Sequence, residues 1–340
     1  MNNYFYMEEK LTFEDVALVP QYNNIPSRTT PVLETWLTKN TKVNMPLIPA
    51  NMDTVIGDDL ADVIVSNGSM PIFHRFTDLD TQKRWINKYK DNCFISCGLN
   101  DMDKTVELLN LGARGVCIDI AHGHSESMIN FIKELKRRVP NKDIIAGNVC
   151  TPLAFHDLVN AGADAVKVGV GGGSACTTRI VTGFGVPQFS ALLECGKIAE
   201  KLRIPMIADG GIKSSRDLVL SLAAGASTVM IGGLFSKTNE SASEKLVGED
   251  GNMYCTYRGQ ASKEFQDDFY GKVKKGTVPE GIQFKSKCTG SAQNLIDDLC
   301  GGLRSGLTYG GAKSIKELQR KREFVKTTAN YMKESHPRPY

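Results

Sequence analysis

The chain of 340 residues is 41% hydrophobic and 23% charged, enough apolar material for a sizeable core in one large domain or two ordinary ones. A formal net charge of only +3, with no run of Lys or Arg, speaks against a nucleic-acid groove and leaves room for a local phosphate site. No apolar run approaches the roughly 20 residues that cross a bilayer, and residues 1–10, with Glu8 and Glu9, lack the apolar core of a signal peptide.

These features predict a soluble, cytoplasmic protein with neither nucleic-acid nor membrane partners. Nine cysteines are scattered without a paired C-x-x-C motif, so neither a disulfide framework nor a zinc site is expected, and the thiols are read as reduced.

Short apolar, β-rich runs predict strands at 47–50, 70–73, 93–97, 115–118, 143–146, 165–168, 205–208 and 228–231. Between them lie amphipathic stretches such as 189–202 and 125–138, the latter with Met128, Phe131, Ile132 and Leu135 on one face. Strand alternating with helix implies parallel pairing through crossovers, and eight such units suit an α/β fold of the (β/α)₈ TIM-barrel type better than an open sheet. Each run ends in polar or glycine-rich sequence: Asn51-Met52-Asp53, His74-Arg75, Gly98, Asp119, Gly147-Asn148, Gly169, Asp209-Gly210-Gly211 and Gly232-Gly233. Short turns need Gly and Asn anyway. In this fold, however, the carboxyl ends of all strands surround one mouth where the active site forms. Residues 250–285, polar and irregular, follow the eighth strand and read as a mobile flap. Residues 314–333 read as a helix and 334–340 as an exposed tail, with 1–340 taken as a single domain.

The loop after the sixth strand, Lys167-Val-Gly-Val-Gly-Gly-Gly-Ser-Ala-Cys176-Thr-Thr-Arg179, carries the chemistry. Its glycines let backbone amides or carbonyls approach a ligand closely. A cysteine is more often a small buried hydrophobe than a nucleophile. Cys117 and Cys195, inside a strand and a helix, fit that pattern. Cys176, in a polar loop at the mouth, is the candidate nucleophile.

Gly169–Gln188, with Cys176-Thr-Thr-Arg179 and Thr182-Gly-Phe-Gly-Val-Pro-Gln188, resembles the catalytic loop of the family of IMP dehydrogenases and GMP reductases. The resemblance covers nearly the whole chain. It includes Asn51-Met-Asp-Thr-Val55, Asp119-Ile-Ala-His-Gly-His-Ser125, Ala146-Gly-Asn-Val149, Ile207-Ala-Asp-Gly-Gly211, Met230-Ile-Gly-Gly233, Tyr257-Arg-Gly259, Pro279-Glu-Gly281 and Gly301-Gly-Leu-Arg-Ser305. It implies attack by Cys176 at C2 of a purine 5′-monophosphate, GMP or IMP. The phosphate would rest on Ser174, Gly210, Gly211, Gly232, Gly233 and Tyr257, and the ribose on Asp209. Met52, Gly259 and Gln260 would line the rest of the substrate site. The resemblance places the nicotinamide cofactor near Asp119, Ala121, Asn148 and Lys167, with His74 and Arg75 as further candidates. It also implies a potassium-type cation on carbonyls of Gly171, Gly173 and Cys176, completed by Glu334, Ser335 and His336 of a neighbouring subunit in a homotetramer.

Within this family the reductase branch, an NADPH-dependent reductive deamination of GMP to IMP, is favoured. No space between the second and third strands holds the regulatory module usual in the dehydrogenase. The flap offers Asp268-Phe269-Tyr270 where the dehydrogenase carries a water-activating Arg-Tyr pair, and Asp119-Ile-Ala121 is reductase-like. Thr178 and Glu280 are then the proton relay. Gln260, Ala261 and Thr277 depart from the reductase pattern, and Val278-Pro-Glu-Gly281 and the Glu334-Ser-His336 tail lean the other way. The alternatives are a dehydrogenase without the regulatory domain, turning IMP and NAD into XMP, and a non-catalytic purine-nucleotide-binding paralogue.

Overall fold

The computed structural model describes residues 7–273 and 275–337. The chain begins with β1 (Val16–Leu18) and a hairpin of β2 (Thr35–Thr38) and β3 (Thr41–Val43). A seven-stranded parallel sheet follows, built from β4 (Leu47–Pro49), β5 (Phe94–Cys97), β6 (Gly115–Asp119), β7 (Asp143–Val149), β8 (Ala165–Val168), β9 (Met206–Asp209) and β10 (Thr228–Ile231). Its order, β4-β10-β9-β8-β7-β6-β5, pairs the first strand with the last, so the sheet curls as in a TIM barrel.

The strand predicted at 70–73 survives only as one parallel bridge, Ile72 to Phe94. Phe94 N donates to Pro71 O and Phe73 N to Phe94 O, both at 2.9 Å. Pro71 has no amide hydrogen with which to carry this ladder one step further back, so it stops there. This eighth stave is present but short.

Strands β5, β8 and β10 are buried at every residue, as expected of a sheet covered on both faces. Helices α1 (Asp58–Ser66), α2 (Leu79–Tyr89), α3 (Met102–Leu111), α4 (Glu126–Arg138), α5 (Pro152–Ala161), α6 (Thr178–Thr182), α7 (Gln188–Leu202) and α8 (Ser215–Ala224) alternate with the strands. Ser125 caps α4 by accepting from Met128 N, and the helix buries Met128, Phe131, Ile132 and Leu135, the face its spacing predicts. Inside the sheet, Ile48, Ile72, Phe94, Cys117, Ile145, Ile207 and Met230 pack against Leu37 and Val43 of the β2–β3 hairpin. Thr38 and Thr41 of the hairpin each donate to Asp143, at the start of β7, at 2.6 Å. The hairpin therefore plugs the amino ends of the strands and leaves the carboxyl ends as the open mouth.

The segment predicted as irregular is largely ordered. Strands β11 (Lys245–Val247), β12 (Met253–Arg258) and β13 (Gln283–Lys287) form an antiparallel sheet, with α9 (Lys263–Tyr270) in the excursion between β12 and β13. The expectation of reduced thiols throughout is corrected here: Cys255 of β12 is disulfide-bonded to Cys288, just past β13. Antiparallel pairing brings their Cα atoms to 5.7 Å, within bridging range. Residues 33 apart in a chain with an odd cysteine count carry no spacing signal for this.

Helix α10 (Ala292–Tyr309) follows, and the predicted helix at 314–333 is broken into α11 (Ile315–Lys321), β14 (Phe324–Lys326) and α12 (Asn330–Ser335). Phe324 and Val325 favour a strand, β14 pairs antiparallel with β1, and Phe324 stacks edge-on against Phe189. Among the described residues, no helix is long and apolar enough to cross a membrane. Residues 1–6, Lys274 of the flap and 338–340 of the expected tail lie outside the described residues.

Candidate active site

The mouth is a cavity of about 780 Å³ between the strand ends and the flap. Along its wall runs the loop after β8. A side chain at Gly169 would sit 1.9 Å from the Asp209 carbonyl oxygen, so only glycine fits where this loop leaves the barrel. Two side chains hold the loop down. Arg179 donates from Nε to Val170 O at 3.1 Å and from Nη2 to Val186 O at 2.6 Å. Gln188 donates to Val168 O at 3.0 Å and Asp209 O at 3.2 Å.

The far end of the loop is zipped to the flap's return. Ile282 N donates to Ala175 O at 3.0 Å and Thr177 N to Glu280 O at 3.0 Å, around a bridge between Cys176 and Gly281. This zip brings three polar side chains into line. Cys176 Sγ donates to Thr178 Oγ1 at 3.2 Å, and Thr178 Oγ1 donates to Glu280 Oε2 at 2.8 Å. Thiol, hydroxyl and carboxylate thus form a line along which a proton can move, and Cys176 is half-buried rather than sealed. Burial pushes the thiols of Cys93, Cys97 and Cys195 up to about 12, and that of Cys117 well above its ordinary value. They are inert at neutral pH.

A second cluster crosses the floor of the mouth. Lys167 Nζ lies 2.8 Å from Asp119 Oδ1 and 2.7 Å from Asp209 Oδ2. Asn148 donates to Asp209 Oδ2 at 2.9 Å, and Asn51 donates to Asp119 Oδ2 at 3.1 Å. Burial works against the Lys167 ammonium, but the two carboxylates reverse this and hold its pKa above the ordinary value. Burial likewise opposes the Asp119 carboxylate, and Lys167 together with Asn51 and Arg75 more than offsets it, holding Asp119 below the usual range.

A third group converges on bare backbone. Gly210 and Gly211 both have positive φ, and a side chain on Gly232 would strike Tyr257 Oη at 2.5 Å. One on Gly233 would come within 2.9 Å of Ser174 Oγ. Burial, then the nearby Asp209 charge, push the Tyr257 phenol up to about 12, so it remains a neutral donor. Its hydroxyl points to Met52 Sδ at 3.6 Å. On the flap side, Gly259 N donates to Ile282 O at 3.1 Å, and Gln260 Nε2 reaches across to Asn51 O at 2.7 Å.

The sequence-predicted residues mostly gather here: those for phosphate, ribose and base line the cavity, as do Arg75, Asp119, Ala121, Asn148 and Lys167. His74 does not line it. It is buried beside Trp85, and its Nδ1 accepts from Phe76 N at 3.2 Å. Glu334, Ser335 and His336 are exposed on α12 and its end and line no part of this mouth. Sequence reasoning missed the flap's fastenings. Arg258 binds Asp53 Oδ2 with two nitrogens at 2.6 and 2.9 Å and also pairs with Asp268 of α9. Phe76 packs edge-on against Phe265 and Phe269. The only signal was an aromatic at 76 with a Phe-Tyr pair at 269–270.

Residues 10–338 match the model of the IMP dehydrogenase / GMP reductase domain. The chain belongs to this family of oxidoreductases. It is 37% identical over 380 residues to inosine-5′-monophosphate dehydrogenase of Cryptosporidium parvum, covering 96% of this chain and 94% of that protein. It is 36% identical over 333 residues to human GMP reductase 1, covering 95% and 96%. A GMP reductase variant from Trypanosoma brucei, solved in complex with guanosine 5′-monophosphate, superposes with a TM-score of 0.90 at 27% identity, over 100% of both chains. The family's two activities are thus represented at nearly equal similarity, and the site chemistry has to separate them.

Proposed function

We propose that the protein is a GMP reductase, converting GMP to IMP and ammonia through a covalent adduct of Cys176 at purine C2. The observation that carries this reading is the Cys176–Thr178–Glu280 line, combined with a flap that has no free arginine among its described residues. Arg258 is tied to Asp53 and Asp268. Burial disfavours its charge, but these carboxylates raise its pKa above the ordinary arginine value, which is the opposite of what a water-activating base needs.

In this reading the Cys176 thiol gives its proton by way of Thr178 to Glu280, and the resulting thiolate attacks C2. The same pair returns a proton to the departing amine, since ammonia leaves poorly as an anion. NADPH, when bound, supplies hydride to C2. Cys176 then leaves as thiolate. Asp209 orients the substrate ribose, Ser174 and Tyr257 donate to the phosphate with the glycine amides at 210–211 and 232–233, and Asp119 and Asn148 face the cofactor. Of the three carbonyls that would hold a monovalent cation, those of Gly171 and Cys176 accept no backbone hydrogen bond from the described residues, while that of Gly173 accepts from Cys176 N at 3.1 Å. Glu334–His336, lining no part of this mouth, would complete such a site from the neighbouring subunit of a homotetramer.

The test is to mix the protein with GMP and NADPH and, separately, with IMP and NAD. NADPH is expected to be consumed in the first mixture. NADH appearing in the second while NADPH survives the first overturns the reading. Glu280→Gln is expected to slow turnover by about 10²–10⁴-fold with substrate affinity retained. Cys176 alkylation that GMP fails to slow would indicate a binding protein without thiol chemistry.

A further inference from the structure

Lys167 is 3% exposed, and its ammonium pairs with two carboxylates. These sit on strands that are not neighbours: Asp119 ends β6, Asp209 ends β9, and Lys167 lies on β8 between them. To reach Asp119 the lysine must pass over β7, and the residue of β7 paired with it is Gly147. A side chain there would meet Lys167 Cβ at 2.6 Å, so the glycine clears the crossing.

The bonds are also divided in a particular way. Asp209 Oδ2 accepts from both Lys167 and Asn148, while Oδ1 takes no hydrogen bond from the described residues. Asp119 gives Oδ1 to Lys167 and Oδ2 to Asn51. Each carboxylate is held by the shared ammonium, and all three side chains line the mouth, but the two carboxylates are about a fifth exposed while Lys167 is nearly covered.

We propose that Lys167 is a positioning residue that sets affinity at both nucleotide subsites through these two carboxylates, and does not contact either nucleotide. The proposal rests on the reading above in placing the purine nucleotide's ribose at Asp209 and the cofactor at Asp119. Without the ammonium, two carboxylates would face each other with no cation between them, one would take up a proton, and both would lose their aim. One substitution should therefore disturb two ligands together.

The test uses Lys167→Met, Lys167→Gln (which keeps a donor and drops the charge), Asp119→Asn and the double variant Lys167→Met with Asp119→Asn. Either lysine variant is expected to raise the KM for both GMP and NADPH by roughly tenfold or more, with kcat at saturation changed far less. Asp119→Asn should raise only the NADPH KM. The double variant should raise the NADPH KM no further than Asp119→Asn alone, because the lysine acts through that carboxylate.

The pH profile supplies a readout that loss of packing would not move. Asp119 is faced by Lys167, Arg75, Asn51, Asp209 and the thiols of Cys97 and Cys117. With Lys167 neutral, burial acts with less opposition, so the acid limb of kcat/KM for NADPH should move to higher pH in both lysine variants and be absent in Asp119→Asn. A rise in only one KM overturns the proposal. So does a multiplicative double variant, which would mean Lys167 touches the cofactor itself, or an unmoved acid limb. Should the wild-type protein act on IMP with NAD instead, the reductase reading fails, and the same pattern in those two KM values still decides the role of Lys167.

Discussion

Burial pushes His74 down to about 4, against a weaker opposing pull from Asp53, so its imidazole is neutral near pH 7 and accepts from Phe76 N. A histidine whose folded pKa lies below its unfolded value near 6.5 binds fewer protons folded than unfolded between those two values. Stability from this site is therefore fully present above about 6.5 and is lost as pH falls toward about 4, by on the order of 3 kcal/mol. His74→Gln, which keeps an acceptor, should flatten the pH dependence of the unfolding midpoint in that window. An unchanged slope in chemical denaturation would show that His74 does not carry it. The same burial explains why His74 is a structural support for the mouth while its neighbour Arg75, over the Phe76 ring at 4.3 Å, lines it.

At the scale of elements, α9 is fastened to the barrel by two different forces. Arg258 joins it to the loop after β4 through Asp268 and Asp53, and Phe265 and Phe269 clasp Phe76 from the strand-end loop. The Asp268 end is mostly exposed, so its pairing is weak, while the Asp53 end is shielded. Arg258→Met is expected to loosen α9 selectively, raising amide hydrogen exchange at 263–270 by roughly tenfold while protection of β6–β9 stays the same. Equal acceleration in both places would mean that Arg258 supports the whole barrel. The strands and helices were largely legible because buried parallel strands read as short apolar runs and α4 shows a clean 3.6-residue face. The flap was not, because β12 and β13 pair across a long excursion and β13, polar and without a buried residue, leaves no local imprint.

For the molecule as a whole, the barrel was predictable from its period, and its one short stave traces to Pro71, a residue visible in the sequence whose effect depends on which neighbour needs its amide. Cys176 announced itself by its glycine-rich surroundings. Glu280 did not: it lies 102 residues from Thr178, and only the resemblance singled it out before folding brought the two to 2.8 Å. Lys167 was likewise placed at the site, but its coverage by two carboxylates from separate strands is a property of strand order that no local spacing encodes.

The Cys255–Cys288 bond has a topological consequence. It closes a covalent ring around the whole flap excursion, with Tyr257, Gln260, α9 and Glu280 all inside it. A peptide bond cut anywhere between those two cysteines opens the ring without dividing the molecule. Protein nicked in the flap should run at full length on a denaturing gel without thiols and as two fragments once they are added.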